Sequence, residues 1–164
     1  MSIRTSTISL ALSLMVPLAV GAYAEPLAKN GTGTAHSGWI GTGTATPTGD
    51  KRMYWTGSYW GMTFNDDGKG PFHQVAWNCP AVSDIHDNMM QTKGSCTATD
   101  TDGDKLYGDW TGKGPVGGEF AGDLTFGGGT GKYTGMQGNW EFHCWGVGTD
   151  AQLYCRQKYS YKLP

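Results

Sequence analysis

The sequence predicts an all-β protein, an eight-stranded antiparallel up-and-down barrel braced by two disulfides. Three observations predict it. Glycine makes up 27 of 164 residues and is interleaved with seven tryptophans and eight tyrosines. Glycine in short alternating segments marks the turns and tightly curved strands of small barrels, and a chain this rich in aromatics does not fit low-complexity disorder. From residue 36 onward, strand-like runs alternate with turn signals, and no stretch after residue 24 keeps a helical period. Finally, four cysteines, Cys79, Cys96, Cys144 and Cys155, form an even set without a CxxC spacing. That pattern reads as a disulfide framework in an exported chain rather than a zinc or thioredoxin site.

The chain opens with the features of a signal peptide over residues 1–24. Arg4 precedes an apolar run from about Leu10 to Val20, and Ala22-Tyr23-Ala24 supplies the small-x-small cleavage pattern. Pro17 interrupts the run, which is short of the roughly 20 apolar residues that span a bilayer. Cleavage after Ala24 leaves one domain-sized chain, secreted or periplasmic, with no later segment apolar enough to insert in a membrane. Its acidic residues outnumber its basic ones, so no electrostatic attraction to nucleic acid is expected.

Residues 25–35 read as a flexible leader, and residues 36–164 as the barrel domain. Strands are expected near 36–45, 52–64, 71–79, 93–101, 104–111, 116–126, 132–145 and 152–161. Turns are expected at TPTGD, NDDGKG, TDGD, TGKGP, GGGTG and GTDA, with PAVSDIHDNMMQ as a longer loop. Eight consecutive strands with short links close most simply as an up-and-down barrel, which leaves no free edge.

The last hairpin fixes an inside and an outside. Centring its turn on Thr149-Asp150 sets Cys144 opposite Cys155, Glu141 opposite Lys158, His143 opposite Arg156 and Trp145 opposite Tyr154. Trp140, Phe142, Cys144, Leu153, Cys155, Tyr159 and Tyr161 then share one face, taken as the interior. Val116, Phe120, Leu124 and Phe126 sort together on another strand, as do Val75, Trp77 and Cys79. Cys79 and Cys96 bracket the long loop and form the second bridge. The run 52–64 resists sorting, with Trp55 and Tyr59 on one face and Tyr54, Trp60, Met62 and Phe64 on the other.

Motifs for catalysis or cofactors fail on inspection. GGGTGK lacks the first glycine of a phosphate-binding loop, because Phe126 stands there, and Tyr133 replaces the Ser or Thr that would hold magnesium. DTDGDK, from Asp100 to Lys105, lacks the glycine and glutamate of a calcium loop. His86, Met89 and Met90 offer imidazole and thioether but no third kind of ligand nearby, so no metal or other cofactor is expected. His36, His73, His86 and His143 are scattered, and no G-x-S-x-G elbow is present.

GEFAGDLTFGGGTGKYTGMQGNWEF resembles the G-G-T-G-K-Y-x-G-x-x-G region of allene oxide cyclase-like and dirigent-like barrel proteins, over residues 116–145. The resemblance implies an eight-stranded antiparallel barrel with an apolar cavity. Members of that group isomerise an oxidised fatty acid or steer phenoxy-radical coupling, with a few polar groups inside the barrel, and no catalytic residue is carried over here.

The sequence therefore points to a non-catalytic exported barrel that binds a small apolar or aromatic molecule, or serves as a stable envelope protein. Trp77, Phe120, Phe126, Trp140 and Phe142 are expected to line or fill the interior. The alternative is an isomerase or cyclase of the resembling type, for which Asp109, set opposite Cys96 by a tight Asp102-Gly103 hairpin, is the one candidate acid. Exposed aromatics such as Trp60 and Trp145 raise a third idea, glycan binding.

Overall fold

A computed structural model describes residues 27–147 and 151–164. The expected signal segment lies outside the described residues. Eight strands run β1 (Asn30–Gly49), β2 (Arg52–Asn65), β3 (Val75–His86), β4 (Met89–Thr99), β5 (Lys105–Pro115), β6 (Phe120–Gly129), β7 (Gln137–Gly146) and β8 (Gln152–Lys162). Each pairs antiparallel with its neighbour in sequence, and β8 returns to β1, so the barrel is closed. The chain is thus an eight-stranded antiparallel up-and-down barrel with two disulfides. β1 is 20 residues long because it serves two partners at a stagger: β8 pairs with Asn30–Ile40 and β2 with Ala35–Gly49. A closed barrel requires such a stagger. Half of the expected leader, from Asn30, is therefore strand, and Ala35 is buried.

Glycine's abundance has a packing reason. Inside a narrow barrel a large ring on one strand lies across the backbone of the next. A Cβ at Gly61 would run into the Trp39 ring, and one at Gly112 into Phe120. Alternating large and small residues fills the taper. It also explains why TGKGP, expected as a turn, is strand: Gly112 and Gly114 are inner positions of β5, against Phe120 and its backbone.

The register of the last hairpin is as expected. Cys144 pairs with Cys155, Glu141 with Lys158, His143 with Arg156 and Trp145 with Tyr154. Residues 148–150 of its turn lie outside the described residues. Cys79 and Cys96 are also bridged, at a Cα separation of 4.1 Å, but between paired strands rather than around a loop. The segment 80–91 continues β3 to His86, turns at Asp87-Asn88 and starts β4 at Met89. Both turn residues have positive φ, 48° and 65°, as a tight twisted hairpin needs.

The two ends of the barrel differ. One, the hairpin end, carries short turns around residues 50–51, 87–88 and 116–119 and the link between β7 and β8. The other, the loop end, carries 66–74, 100–104 and 130–136 with both termini of the barrel. Val116, expected inside, sits in a hairpin-end turn and is exposed. The expected strand starts at 71 and 132 are instead loop-end structure: β3 begins at Val75, and a single 3-10 turn (Gly131–Tyr133) precedes β7.

That loop end is plugged by Phe72, which is fully buried. Its ring stacks on Phe126 at 5.4 Å and meets Trp140 at 4.8 Å and Tyr159 at 4.7 Å. Its backbone has φ 63°, a conformation costing of order 1–3 kcal/mol that persists only when the surroundings enforce it. They do: Thr63 Oγ1 donates to the Phe72 carbonyl at 3.0 Å, and Asn65 Nδ2 donates to the Pro71 carbonyl at 2.9 Å and to the Tyr159 hydroxyl at 2.7 Å. Tyr133 and Met136 complete the plug, both buried.

Candidate functional site

Inner positions alternate along the strands except at the irregularities near Pro47–Gly49 of β1 and between Phe126 and Gly129 of β6. On β8 they are Leu153, Cys155, Gln157, Tyr159 and Tyr161, and on β7 Trp140, Phe142 and Cys144. Between the plug and the hairpin end they leave a cavity of about 60 Å³. Trp77, Phe120, Trp140 and Phe142 line it. Phe126 does not reach it; it is buried deeper, against Phe72. Cys79, Cys144 and Cys155 form part of the wall, so both disulfides belong to the interior.

Sequence reasoning missed three aromatic walls of this cavity, Trp39, Tyr59 and Trp110. Tyr59 and Trp110 meet edge to face at 5.8 Å, and Trp55 closes over Tyr59 at 5.1 Å toward the hairpin end. The ambiguous run 52–64 resolves accordingly. Trp55 and Tyr59 face inward, while Tyr54, Trp60 and Met62 are exposed outside. Burial raises the Tyr59 pKa, a hydrogen bond to Ser83 opposing it. Trp39, Tyr59 and Leu153, half-buried, stand where the cavity approaches solvent.

One polar side chain in the cavity wall is informative. Gln157 is buried; its Nε2 donates to Ser37 Oγ, and its Oε1 has no protein partner. The signal was present in the sequence, because 157 has the parity of Cys155 and Tyr159. Among the described residues, no Asp, Glu, His, Lys or Arg lines the cavity.

Asp109 is not inside. The β4–β5 register sets Cys96 opposite Gly108 and Ser95 opposite Asp109, whose Oδ1 accepts from Ser95 Oγ at 2.6 Å on the outer surface. The tight Asp-Gly hairpin is in fact a five-residue loop, 100–104, between Thr99 and Lys105. The register shifts by one residue, and every side chain changes face. Asp100 drives the shift: its Oδ1 accepts the backbone N–H groups of Asp102 at 2.9 Å and Asp104 at 3.0 Å.

The two motifs that failed as phosphate and calcium sites are each other's partner. Lys132 Nζ reaches Asp100 Oδ2 at 2.8 Å and Asp102 Oδ2 at 2.5 Å, and the Lys132 N–H donates to Asp104 Oδ2 at 3.0 Å. Gly131 has φ 50°, and a Cβ there would strike the Asp104 carboxylate. Burial alone would raise the Asp100 carboxyl, but the Lys132 hydrogen bond and charge outweigh it and hold it below the ordinary carboxylate range. Lys132 is held up in turn by Asp100 and Asp102, against the opposing effect of burial. Tyr133 beside it is pushed far up, by burial first and then by the Asp100 charge. The cluster is a clamp between two loops.

His86, Met89 and Met90 do not converge. His86 and Met89 pair across the outer face of the β3–β4 hairpin, while Met90 shares the inner parity of Thr92 and Cys96. Glu141 and His143 stay outside. His143 Nδ1 lies 2.5 Å from Glu119 Oε1 and its Nε2 3.3 Å from Glu141 Oε1, so the Glu119 hydrogen bond, then Glu141, raises its pKa. The disulfides fit a non-reducing compartment. No helix among the described residues is long and apolar enough to cross a membrane. No protein-family model matches the chain, and no curated protein matches it in sequence.

Proposed function

We propose that this protein is an exported, non-catalytic envelope barrel whose interior is a structural core. The observation that carries this reading is the composition of the cavity wall: rings, aliphatics and disulfide sulfurs, one amide, Gln157, and no Asp, Glu, His, Lys or Arg among the described residues, with the Tyr59 hydroxyl kept protonated by burial. General acid–base chemistry needs a titratable group within hydrogen-bond reach of the reacting atom. The space is also small. About 60 Å³ is well under the roughly 150 Å³ of an apolar cavity that admits benzene, and under the ~300 Å³ at which ordinary ligand pockets begin. The likeness of residues 116–145 to allene oxide cyclase-like and dirigent-like barrels supports a common architecture without transferring their chemistry.

A second reading, binding of one small aromatic molecule, is favoured by a specific feature. Gln157 Oε1 is an unpartnered buried acceptor in the cavity wall, and half-buried Trp39 and Leu153 also line the cavity. A phenol or indole would donate to that oxygen. Native mass spectrometry of the protein purified from its host separates the two. The bare chain mass, with no rise in melting temperature on adding indole or phenol, is the outcome expected of a structural core. A retained small molecule, or a melting temperature that climbs with phenol and loses the response in Gln157→Leu, replaces the first reading with the second.

A further inference from the structure

Outside the barrel, rings gather that the core does not use. Trp60 is 48% exposed, Ile40 45%, Met62 43%, and Trp145 and Tyr154 38% each. The pairing registers make them neighbours. Trp145 is opposite Tyr154, Tyr154 opposite Gly38, Gly38 opposite Met62, and Ile40 opposite Trp60. The stripe therefore crosses β7, β8, β1 and β2 in one band. Its centre is low, because a Cβ at Gly38 would meet nothing within 4 Å. Contiguous exposed apolar surface on a soluble protein marks an interaction site.

The next row toward the loop end is polar. His143, Arg156 and His36 are consecutive partners across β7, β8 and β1, with Lys158 opposite Glu141 beside them. Carboxylates alternate with these bases: Glu119 on His143, and Asp66 on His36 at 2.7 Å. Together with Tyr154 this row bounds a groove of about 400 Å³, inside the range of ligand sites and far larger than the interior cavity.

We propose that this outer face binds a glycan, with sugar rings laid on the Trp145–Tyr154–Trp60 band and hydroxyls turned into the Arg156–His143–Glu141 groove. A sugar has an apolar C–H face that stacks on an aromatic ring and an equator of groups that both donate and accept hydrogen bonds. The stripe offers the first kind of partner, and the mixed row offers planar donors and acceptors side by side. A bilayer fits less well, since Asp66, Glu119 and Glu141 would meet its headgroups beside the inserted rings. The groove and the interior cavity share only Gln157 among their lining residues, and neither the ring pair nor Arg156 faces the core, so the proposal stands or falls separately from the reading of the core.

The test uses the full mature chain with chitohexaose, cellohexaose and peptidoglycan sacculi as probes. It compares wild type, Trp60→Ala/Trp145→Ala and Arg156→Ala. The expected result is binding to at least one probe, weakened about tenfold or more by losing the ring pair, which corresponds to about 1.4 kcal/mol, with the melting temperature unchanged. No binding to any probe, or binding indifferent to both variants, overturns the proposal. So does binding only to phosphatidylcholine–phosphatidylglycerol vesicles, or a dimer that the ring variant dissociates; these would assign the face to a lipid surface or to a second copy of the chain.

Discussion

The loop end and the hairpin end of this barrel share the same eight strands and the same inward alternation, yet one is sealed and the other is not. At the loop end, Phe72, Tyr133 and Met136 fold in from connections long enough to reach the axis, and Lys132 ties two of the loops together. At the hairpin end the β1–β2 and β3–β4 turns have two residues each, too few to reach inward. The space is covered only by half-buried side chains such as Trp39, Trp55 and Leu153. The lesson is that strand alternation supplies a lining, while the length of the connections decides whether a barrel has a floor. The cavity lies above the plug, and none of the turns 50–51, 87–88 and 116–119 sends a side chain into it.

The largest expected effect tests that contrast directly. Phe72→Ala removes a fully buried ring that contacts five aromatics and is expected to cost about 3–5 kcal/mol in denaturant unfolding. Leu153→Ala, at the half-covered end, is expected to cost about 1–2 kcal/mol, because less of its surface leaves water on folding. Equal costs would erase the distinction between floor and mouth.

Next comes the clamp. Lys132→Met leaves the Asp100 carboxylate, 4% exposed, without its cation. The expected loss is about 2–4 kcal/mol at neutral pH, below the full cost of a deeply buried pair because Asp102 is wetter. The pH dependence carries the sign. A carboxyl whose folded pKa lies below its unfolded value contributes stability above the unfolded value near 4 and loses it as the pH falls through the folded pKa. Wild type should therefore weaken in acid, and its advantage over Lys132→Met should shrink as the pH drops below about 4. A gap that stays constant with pH would separate Asp100 from the effect of Lys132.

The smallest effect belongs to the outer wall and serves as a control for both ends. His143 is held above its ordinary pKa by Glu119 and Glu141. The stability it adds is present below the unfolded histidine value and is lost as the pH rises through the folded one. Because the groups are exposed, the change is expected to stay under about 1 kcal/mol. Glu119→Gln should lower the His143 midpoint in an NMR titration, with no change in cooperativity of unfolding. An unmoved midpoint would place the Glu119 contact outside the solution structure.

Much of the barrel was legible because its code is local. Alternation around Cys144 and Cys155 fixed inside and outside on β7 and β8, and the four cysteines could bridge only where facing strands place them on the same wall. The errors are also physical. PAVSDIHDNMM reads as a loop when Pro80 and a cluster of polar residues are weighed as breakers, yet Ala81, Ser83 and Ile85 keep the alternation, and Asp87-Asn88 are residues that tolerate positive φ. Asp109 was misplaced by one residue because a five-residue loop organised by Asp100 looks, in sequence, like a two-residue Asp-Gly turn. Period-2 reasoning amplifies any such slip into a change of face.

What the sequence by itself determined is the wall: eight strands, their neighbours, and an apolar lining that includes both disulfides. Each of those depends on residues a few positions apart or on turns that admit few geometries. Only the tertiary structure decided the contents of the tube and the pattern on its outside. Phe72 enters the core from a loop, Lys132 meets Asp100 from 32 residues away, and Trp145 comes beside the Trp60 band through two intervening strands. The last of these meetings arises from closing β8 onto β1 and the other two from loops that reach across or into the barrel, and neither kind of contact leaves a periodic trace in a linear chain.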